Sequence, residues 1–366
     1  MSEIKRNVFS LPENKLLLFP ERIRTWLDNR PVSPVLLEIL PTERCNHRCP
    51  ECQGEMLVGS KKRRQLASGG VDLDFSLLDS VWKNPPAGVV ISGNTGEPFM
   101  HSQIDWLLQK LLDLKIPTIM ISNGESLKDE HIELTLRACH GFRISLDAAN
   151  SHSYSRCHGV KSSVWDVVVN NIKKVVNARD RIGLTQSDCL FGVGFLVNND
   201  NIDEMVSATK MVRDIGCDYI QFRPYHNKMI EIEDKIDELE AFKSNDFRVF
   251  ISQQKYGLVG LERGYSRCHA GHFSAFVDSR GKFYMCCHFI GDEKALLGNL
   301  HNQSWTQFIQ GFERLEKINS FELDRCVPFC RLNAHNEFLK KVSKQGLFTT
   351  NLNPLPDEVK KHSPFL

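Results

Sequence analysis

The stretch "VLLEILPTERCNHRCPECQG", residues 35–54, runs from a short apolar segment straight into three cysteines, Cys45, Cys49 and Cys52. The apolar part, "VLLEIL" (35–40), has the length and branched composition of a buried strand. Five more segments share that character: "GVVISG" (88–93), "PTIMIS" (117–122), "GFRISLD" (141–147), "LFGVGFLV" (190–197) and "YIQFRP" (219–224). Amphipathic runs separate them, among them "SQIDWLLQKLLDLK", "SLKDEHIELTLRAC", "SSVWDVVVNNIKKVVNARDR" and "NIDEMVSATKMVRDIG", several opening on a Ser or Asn that suits a helix N-cap. Strands that alternate with helices pair in parallel through right-handed crossovers. Ligands of such sheets gather beyond the carboxyl ends of the strands. The cysteine run stands just past the first strand, so the pattern predicts a reactive crevice there.

Composition sets the frame. With 366 residues, 41% of them hydrophobic and 25% charged, the chain can bury one large core or two unequal ones. A formal charge of +1 and the lack of a long basic stripe argue against a nucleic-acid partner. The basic cluster "SKKRR" (60–64) reads as a solvated loop, with anion binding as its other reading. The N-terminus "MSEIKRNVFSLPENK" lacks the apolar core of a signal peptide, and no apolar run reaches bilayer length. A cytoplasmic protein without a membrane partner is therefore expected. Twelve cysteines in a reducing compartment point to metal ligation or redox chemistry rather than to disulfides. Cys268, Cys286, Cys287, Cys326 and Cys330 fall in the last third, whereas Cys139, Cys157, Cys189 and Cys217 are scattered like small buried apolar residues.

Beyond residue 228 the alternation stops. "EIEDKIDELEAFKSNDFRVFISQQKYG" reads as a charged linker helix, "SAFVDSRGKFYMCC" as a hairpin, and "NQSWTQFIQGFERLEKI" as a helix, followed by "CVPFC" with Cys326 and Cys330. The expected organisation is an N-terminal extension (1–34), a parallel α/β body (35–228), a linker helix region (229–262), a small cysteine-bearing α+β region (263–335), and a helix with a Pro-containing tail (336–366).

Three thiolates close together suit zinc or an iron–sulfur cluster. A structural zinc site is closed by a fourth Cys or His. His47 could supply it, although a ligand squeezed between Cys45 and Cys49 is sterically awkward. A cubane on three thiolates leaves one iron open to a small molecule, which suits catalysis better than electron carriage.

The spacing of Cys45, Cys49 and Cys52 resembles the CxxxCxxC signature of the radical S-adenosylmethionine (SAM) enzymes. In that family the open iron holds the amino and carboxylate groups of SAM, and one electron cleaves SAM to a 5′-deoxyadenosyl radical that abstracts a substrate hydrogen. The residue before the third cysteine is commonly aromatic there and contacts adenine, whereas this chain has Glu51. "GNTGEP" (93–98) resembles the family's GGEP element, which implies that Gly96, Glu97 and Pro98 receive the methionine ammonium. An ammonium needs acceptors, and a Gly-Pro turn presents carbonyls unobstructed. "SNG" (122–124) and "SLD" (145–147) resemble the ribose and carboxylate contacts, implying Ser122, Asn123, Ser145 and Asp147. Singly, each also reads as a cap or turn residue. Arg156, in "SHSYSRCHG", is placed by the same resemblance against the SAM carboxylate.

The C-terminal cysteines resemble the twitch and SPASM extensions that bind auxiliary clusters. Cys268, then Gly281 and Cys286, then "LGNL" (297–300), then Cys326 and Cys330 fit the shorter twitch form with one auxiliary [4Fe–4S] cluster on Cys268, Cys286, Cys326 and Cys330. Cys287 is expected to be spare, because successive side chains of an extended strand face opposite ways. A zinc knuckle is the alternative. The implied fold is a partial (β/α)6 barrel with a small C-terminal α+β iron–sulfur domain.

A fully ligated auxiliary cluster has no place for substrate, so it suits electron transfer and favours oxidation. The leading expectation is a dehydrogenase resembling the aminocyclitol dehydrogenases of this superfamily, acting on a hydroxyl-bearing carbon of a sugar or cyclitol. Gln221 and Arg223 share one face of the sixth strand and read as ligand contacts, although Arg223 suits a structural ion pair equally well. Glu38 is a similar candidate in the first strand. Arg223, His158 and His226 are the candidate bases. A peptide maturase is the first rival, weakened because the 44 residues before Cys45 are short for a leader-binding domain. A redox-neutral epimerase using Cys157 or Cys287 as hydrogen donor is the second. An electron carrier or zinc regulator is the non-enzymatic reading. The expected partners are a small-molecule or peptide substrate and a flavodoxin- or ferredoxin-type electron donor.

Overall fold

The computed structural model describes residues 15–50, 52, 70–94, 96–224, 230–252, 263–327 and 330–345. Along the chain the strands are β1 (Leu36–Ile39), β2 (Gly88–Ile91), β3 (Thr118–Ser122), β4 (Gly141–Ser145), β5 (Leu190–Val197), β6 (Tyr219–Pro224), β7 (Arg248–Ile251), β8 (Ser274–Val277), β9 (Lys282–Tyr284) and β10 (Leu296–Asn299). The α-helices are α1 (Pro20–Leu27), α2 (Asp79–Trp82), α3 (Ile104–Asp113), α4 (Asp129–Ala138), α5 (Ser151–His158), α6 (Val164–Arg181), α7 (Met205–Ile215), α8 (Glu233–Glu240), α9 (Trp305–Gln310), α10 (Phe312–Asn319) and α11 (Asn333–Gln345). The chain is a mixed α/β protein with an open, largely parallel sheet core, divided into two compact units.

One unit comprises Leu40–Asp72 and Ile91–Val259. Its strands β3 to β7 lie side by side in chain order, every pairing parallel. Successive residues of a strand point to opposite faces. On one face Phe142, Ile144, Phe191, Val193, Phe195, Ile220, Phe222 and Val249 are none of them more than 2% exposed. The opposite face carries Arg143, Ser145, Gly192, Gly194, Leu196, Tyr219, Gln221 and Arg223, aligned by the register. Arg143, Ser145, Leu196 and Arg223 are only half-buried there. The apolar face is thus the core, and the polar face is the one that can hold a ligand.

Arg179 of α6 and Asp218, just before β6, form a buried ion pair, and the Phe191 N–H also donates to Asp218 at 2.7 Å. The additional hydrogen bond offsets part of the desolvation cost of such a pair. The stretch expected to be a linker helix holds α8 and then β7, which pairs in parallel with β6. The reason lies in "FRVFI", whose apolar residues suit a strand better than a solvated helix.

The other unit comprises Met1–Ile39, Leu73–Val90 and Gly260–Leu366. Its strand order is β10-β9-β8-β1-β2. β8 runs parallel to β1, while β8 and β9 form the expected antiparallel hairpin. The single helix expected over residues 302–318 is two, α9 and α10, parted at Gly311, whose backbone is extended. A capping box of Ser304 and Gln307 starts α9, and Phe308 stacks on Phe283 at 4.0 Å. Glycine disfavours a helix interior by about 1 kcal/mol relative to alanine, which favours a break at this position.

Candidate functional site

The first cysteine group belongs to the unit of β3–β7. Its loop is anchored at the start by Arg44, which is ion-paired with Asp72 and donates to the Met100 carbonyl at 2.8 Å. Thr42 Oγ1 also donates to Asp72, at 2.6 Å. Inside the loop, Arg48 Nη1 donates to the carbonyls of Cys45 and His47, both at 2.7 Å, and the Cys52 N–H donates to the Cys49 carbonyl at 3.1 Å. None of Cys45, Cys49 and Cys52 is disulfide-bonded, and all three are half-buried.

Two glycines let the surrounding backbone reach this loop. A Cβ on Gly96 would lie 2.1 Å from the Thr42 carbonyl oxygen, and one on Gly159 would lie 2.1 Å from that of Arg48. Gly159 also ends α5 with φ +61°, a left-handed cap that glycine adopts without strain.

Glu97 is the centre of the hydrogen bonding beside the loop. Its N–H donates to the Arg44 carbonyl at 2.7 Å. Its carboxylate accepts from Ser122 Oγ at 2.6 Å, the Asn123 N–H at 2.7 Å and the Phe99 N–H at 3.2 Å. Burial pushes its carboxyl up to about 7, against the pull of those three donors. Asn123 Nδ2 continues the network to Asn46 Oδ1 at 2.8 Å, and Asn46 donates to Glu125 at 2.6 Å. Glu97, Ser122 and Asn123 are thereby tied to residues on either side of Cys45.

A histidine pair stands behind Cys49. His47 Nε2 meets Glu125 at 2.9 Å, and its Nδ1 faces His158 Nδ1 at 3.3 Å. His158 Nδ1 is also 3.6 Å from Cys49 Sγ, and its Nε2 is 3.1 Å from the Leu146 carbonyl. The ligand atoms of His47, Cys49 and His158 all lie within 4.8 Å of one another. His47 is thus engaged with Glu125 and His158. Glu125 and Asn46 were not singled out from the sequence, and only their position beside "SNG" and inside the cysteine loop could have suggested them.

Asp147 follows β4 with φ +54°, is buried, and accepts the Leu196 N–H at 2.6 Å. Burial pushes its carboxyl up, opposed by His158 at 3.6 Å, by that N–H and by Arg223 and Arg143. Ser145 shares the polar face. Arg156 is about half exposed and ion-paired with Asp200, which turns it toward a protein carboxylate. Cys157 is buried, with Asn198 Nδ2 at 3.7 Å and Asn201 Nδ2 at 3.8 Å from its sulfur, and burial pushes its thiol up to about 11. Pro98 opens the short turn Pro98–Met100. His226 lies outside the described residues, as does Glu51.

The second cysteine group belongs to the other unit. Cys268, Cys286, Cys326 and Cys330 are half-buried, Cys287 is buried, and none is disulfide-bonded. These thiols sense one another: burial pushes Cys268 up to about 12, with Cys330 and Cys326 adding to it, and Cys326 up to about 11, with Cys330 adding. Arg263 holds the segment by donating to the carbonyls of Leu323, Cys326 and Val327 at 2.8, 3.2 and 2.7 Å. Tyr265 donates to Asn333 at 2.8 Å, and Asn336 accepts the Ala270 N–H at 2.8 Å. The premise that sent Cys287 away from Cys286 does not hold. β9 ends at Tyr284, Cys287 opens a 3₁₀ turn, and a hydrogen bond to Cys287, with burial, raises the Cys286 thiol above its ordinary range. Glu38, at 2% exposure, is ion-paired with Arg331 at 2.6 Å, whose guanidinium lies 5.0 Å over the Phe276 ring.

The donor sets suit iron–sulfur clusters. Both offer several unoxidised thiols that a metal would deprotonate. Beside the first, a buried carboxylate suits an ammonium group.

The Radical SAM superfamily model matches residues 39–212. The tungsten-containing aldehyde ferredoxin oxidoreductase cofactor-modifying protein of Pyrococcus furiosus is 24% identical over 180 residues, 48% of each chain, so this chain spans about half the length of the curated relative it matches. Streptococcus suis SuiB bound to precursor peptide SuiA superposes with a TM-score of 0.60 at 15% identity, covering 88% of this chain and 74% of that one. Native anSMEcpe with bound AdoMet gives 0.55 at 15%, covering 83% and 88%. At these identities the structures show a shared fold. No helix among the described residues is long and apolar enough to cross a membrane. The Radical SAM superfamily model thus matches the part of this chain that carries the cysteine loop and strands β2 to β5, and the chain shares its fold with these structures.

Proposed function

We propose that this chain is a radical SAM oxidoreductase that removes hydrogen from a hydroxyl-bearing carbon of a sugar or cyclitol and passes the second electron to an auxiliary [4Fe–4S] cluster. Cys45, Cys49 and Cys52 hold the SAM-binding cluster; Gly96, Glu97 and Pro98 receive the ammonium; Ser122, Asn123, Ser145 and Asp147 serve the ribose and carboxylate. When bound, the cluster and SAM supply the 5′-deoxyadenosyl radical that takes the substrate hydrogen. Ser122 Oγ and the Asn123 N–H also fix the Glu97 carboxylate in one orientation. Arg156 would have to leave Asp200 to reach a SAM carboxylate. Arg223, always protonated, can only orient the hydroxyl, His226 is the candidate for taking its proton, and a flavodoxin or ferredoxin supplies the electron. Cys157 keeps its proton, which is what a hydrogen-atom donor in an epimerase requires.

The gathering of Cys268, Cys286, Cys326 and Cys330 in one unit carries the oxidative reading, because an electron acceptor is what a dehydrogenase needs and an epimerase does not. Residues 263–335 would then form the twitch-like domain. Changing Cys268 and Cys330 to serine is expected to lower iron per chain from about eight to about four. SAM cleavage in the absence of substrate should persist. A wild type with about four irons, all lost with Cys45, Cys49 and Cys52, would overturn the oxidative reading.

A peptide substrate is the second reading, favoured by the fold shared with SuiB, solved with its precursor peptide, and with anSMEcpe, solved with bound peptides. Deuterium placed on a candidate alcohol or peptide and recovered in 5′-deoxyadenosine decides between the two.

A further inference from the structure

On the polar face of the sheet β3–β7, two arginines converge over a glycine. Arg143 stands on β4, Arg223 on β6 and Gly194 on β5 between them. A Cβ on Gly194 would lie 3.3 Å from Arg143 Cδ and Nε and 3.5 Å from Arg223 Nη2. Both side chains therefore border the space that the missing side chain leaves.

The neighbours shape that space. Two residues earlier on the same face, Gly192 makes room for Tyr219, whose ring would come within 2.5 Å of a Cβ there and which is fully buried. Tyr219 forms an aromatic floor. Gln221 Oε1 accepts from Arg143 Nη1 at 2.8 Å and orients it. Arg143, Arg223, Ser145 and Leu196 are half-buried, so the rim is reachable. Asp147 lies near enough to feel both guanidiniums, but it already accepts the Leu196 N–H.

Two guanidiniums side by side repel, and an oxyanion between them relieves the repulsion. The guanidinium is planar, permanently charged, and matched to two oxygens of a carboxylate or phosphate. We propose that Arg143 and Arg223 form a receptor for an oxyanion of the substrate, a carboxylate or phosphate, that fixes its orientation for hydrogen abstraction. The role in orientation rests on the radical SAM reading, whereas the anion binding does not. An oxyanion could also come from SAM itself, through its carboxylate, and the two sources are separable.

Reconstituted holoenzyme saturated with SAM is titrated calorimetrically with inorganic phosphate as the probe, alongside SAM titrations of the same proteins. Wild type should bind phosphate, Arg143→Gln and Arg223→Gln should each weaken it at least about tenfold, and SAM affinity should stay within about twofold. Arg223→Lys, which keeps the charge and loses the fork, should fall between and guards against a variant that fails to fold. Absence of phosphate binding in wild type, or equal binding in all variants, overturns the receptor. A parallel fall in SAM affinity overturns the substrate assignment and gives the pair to the SAM carboxylate. Phosphate binding by a protein that cannot cleave SAM would sink the proposed function and leave the receptor standing.

Discussion

Replacing Glu97 by glutamine is expected to weaken SAM binding at pH 8 by about ten- to a hundredfold, the worth of a charge-assisted hydrogen bond of about 1.5–3 kcal/mol. The more telling effect is on pH dependence. Burial holds the Glu97 carboxyl at about 7, so it is mostly neutral at pH 6 and mostly ionised at pH 8. An ammonium binds the ionised form, so wild-type affinity should rise across that interval. The glutamine variant should lose that rise and show only the slope that the SAM amino group itself contributes. Glutamine also sets an amide NH₂ against the Asn123 N–H, which costs affinity by geometry but cannot abolish a pH slope. The same shift acts on stability in the absence of ligand. A carboxyl whose folded value is raised from 4.5 to about 7 contributes stability fully present below pH 4.5 and lost as pH rises through 7. Urea midpoints of the ligand-free chain at pH 5 and pH 8, compared between wild type and variant, check the sign.

A triple Cys45, Cys49, Cys52 to alanine variant is expected to hold about four irons per chain after anaerobic reconstitution, against about eight in wild type. The account requires the remaining irons to stay, because the second thiol group belongs to another unit. Hydrogen bonds between backbone groups of this loop do not involve the thiols, and Arg44, Arg48 and Glu97 keep their partners in the variant. Loss of iron should therefore exceed any loss of folding, which circular dichroism measures. Retention of about eight irons would remove these cysteines from the cluster.

Much of the fold was legible because strand and helix periods differ. β5 and β6 run over the residues expected, and β8 and β9 form the expected hairpin. The departures have local causes. Gly311 parts a helix whose apolar pattern continues on both sides, and β7 follows a helix too charged to announce a strand after it. The candidate site was legible as motif positions, among them Glu97, Ser122 and Asn123, which hydrogen bonds bring together. It was illegible where partners are distant in sequence: Glu125 reaches Asn46 and His47 across more than 75 positions, and Arg143 meets Gln221 across 78. Arg156 shows the converse, since a motif position does not say which carboxylate the guanidinium will choose.

The central claim is reductive cleavage of SAM. Reconstituted wild-type protein, reduced with dithionite and given SAM, should release 5′-deoxyadenosine and methionine, and the triple cysteine variant should release none. Intact SAM after reduction of a fully loaded wild type, or equal release by the variant, would contradict it.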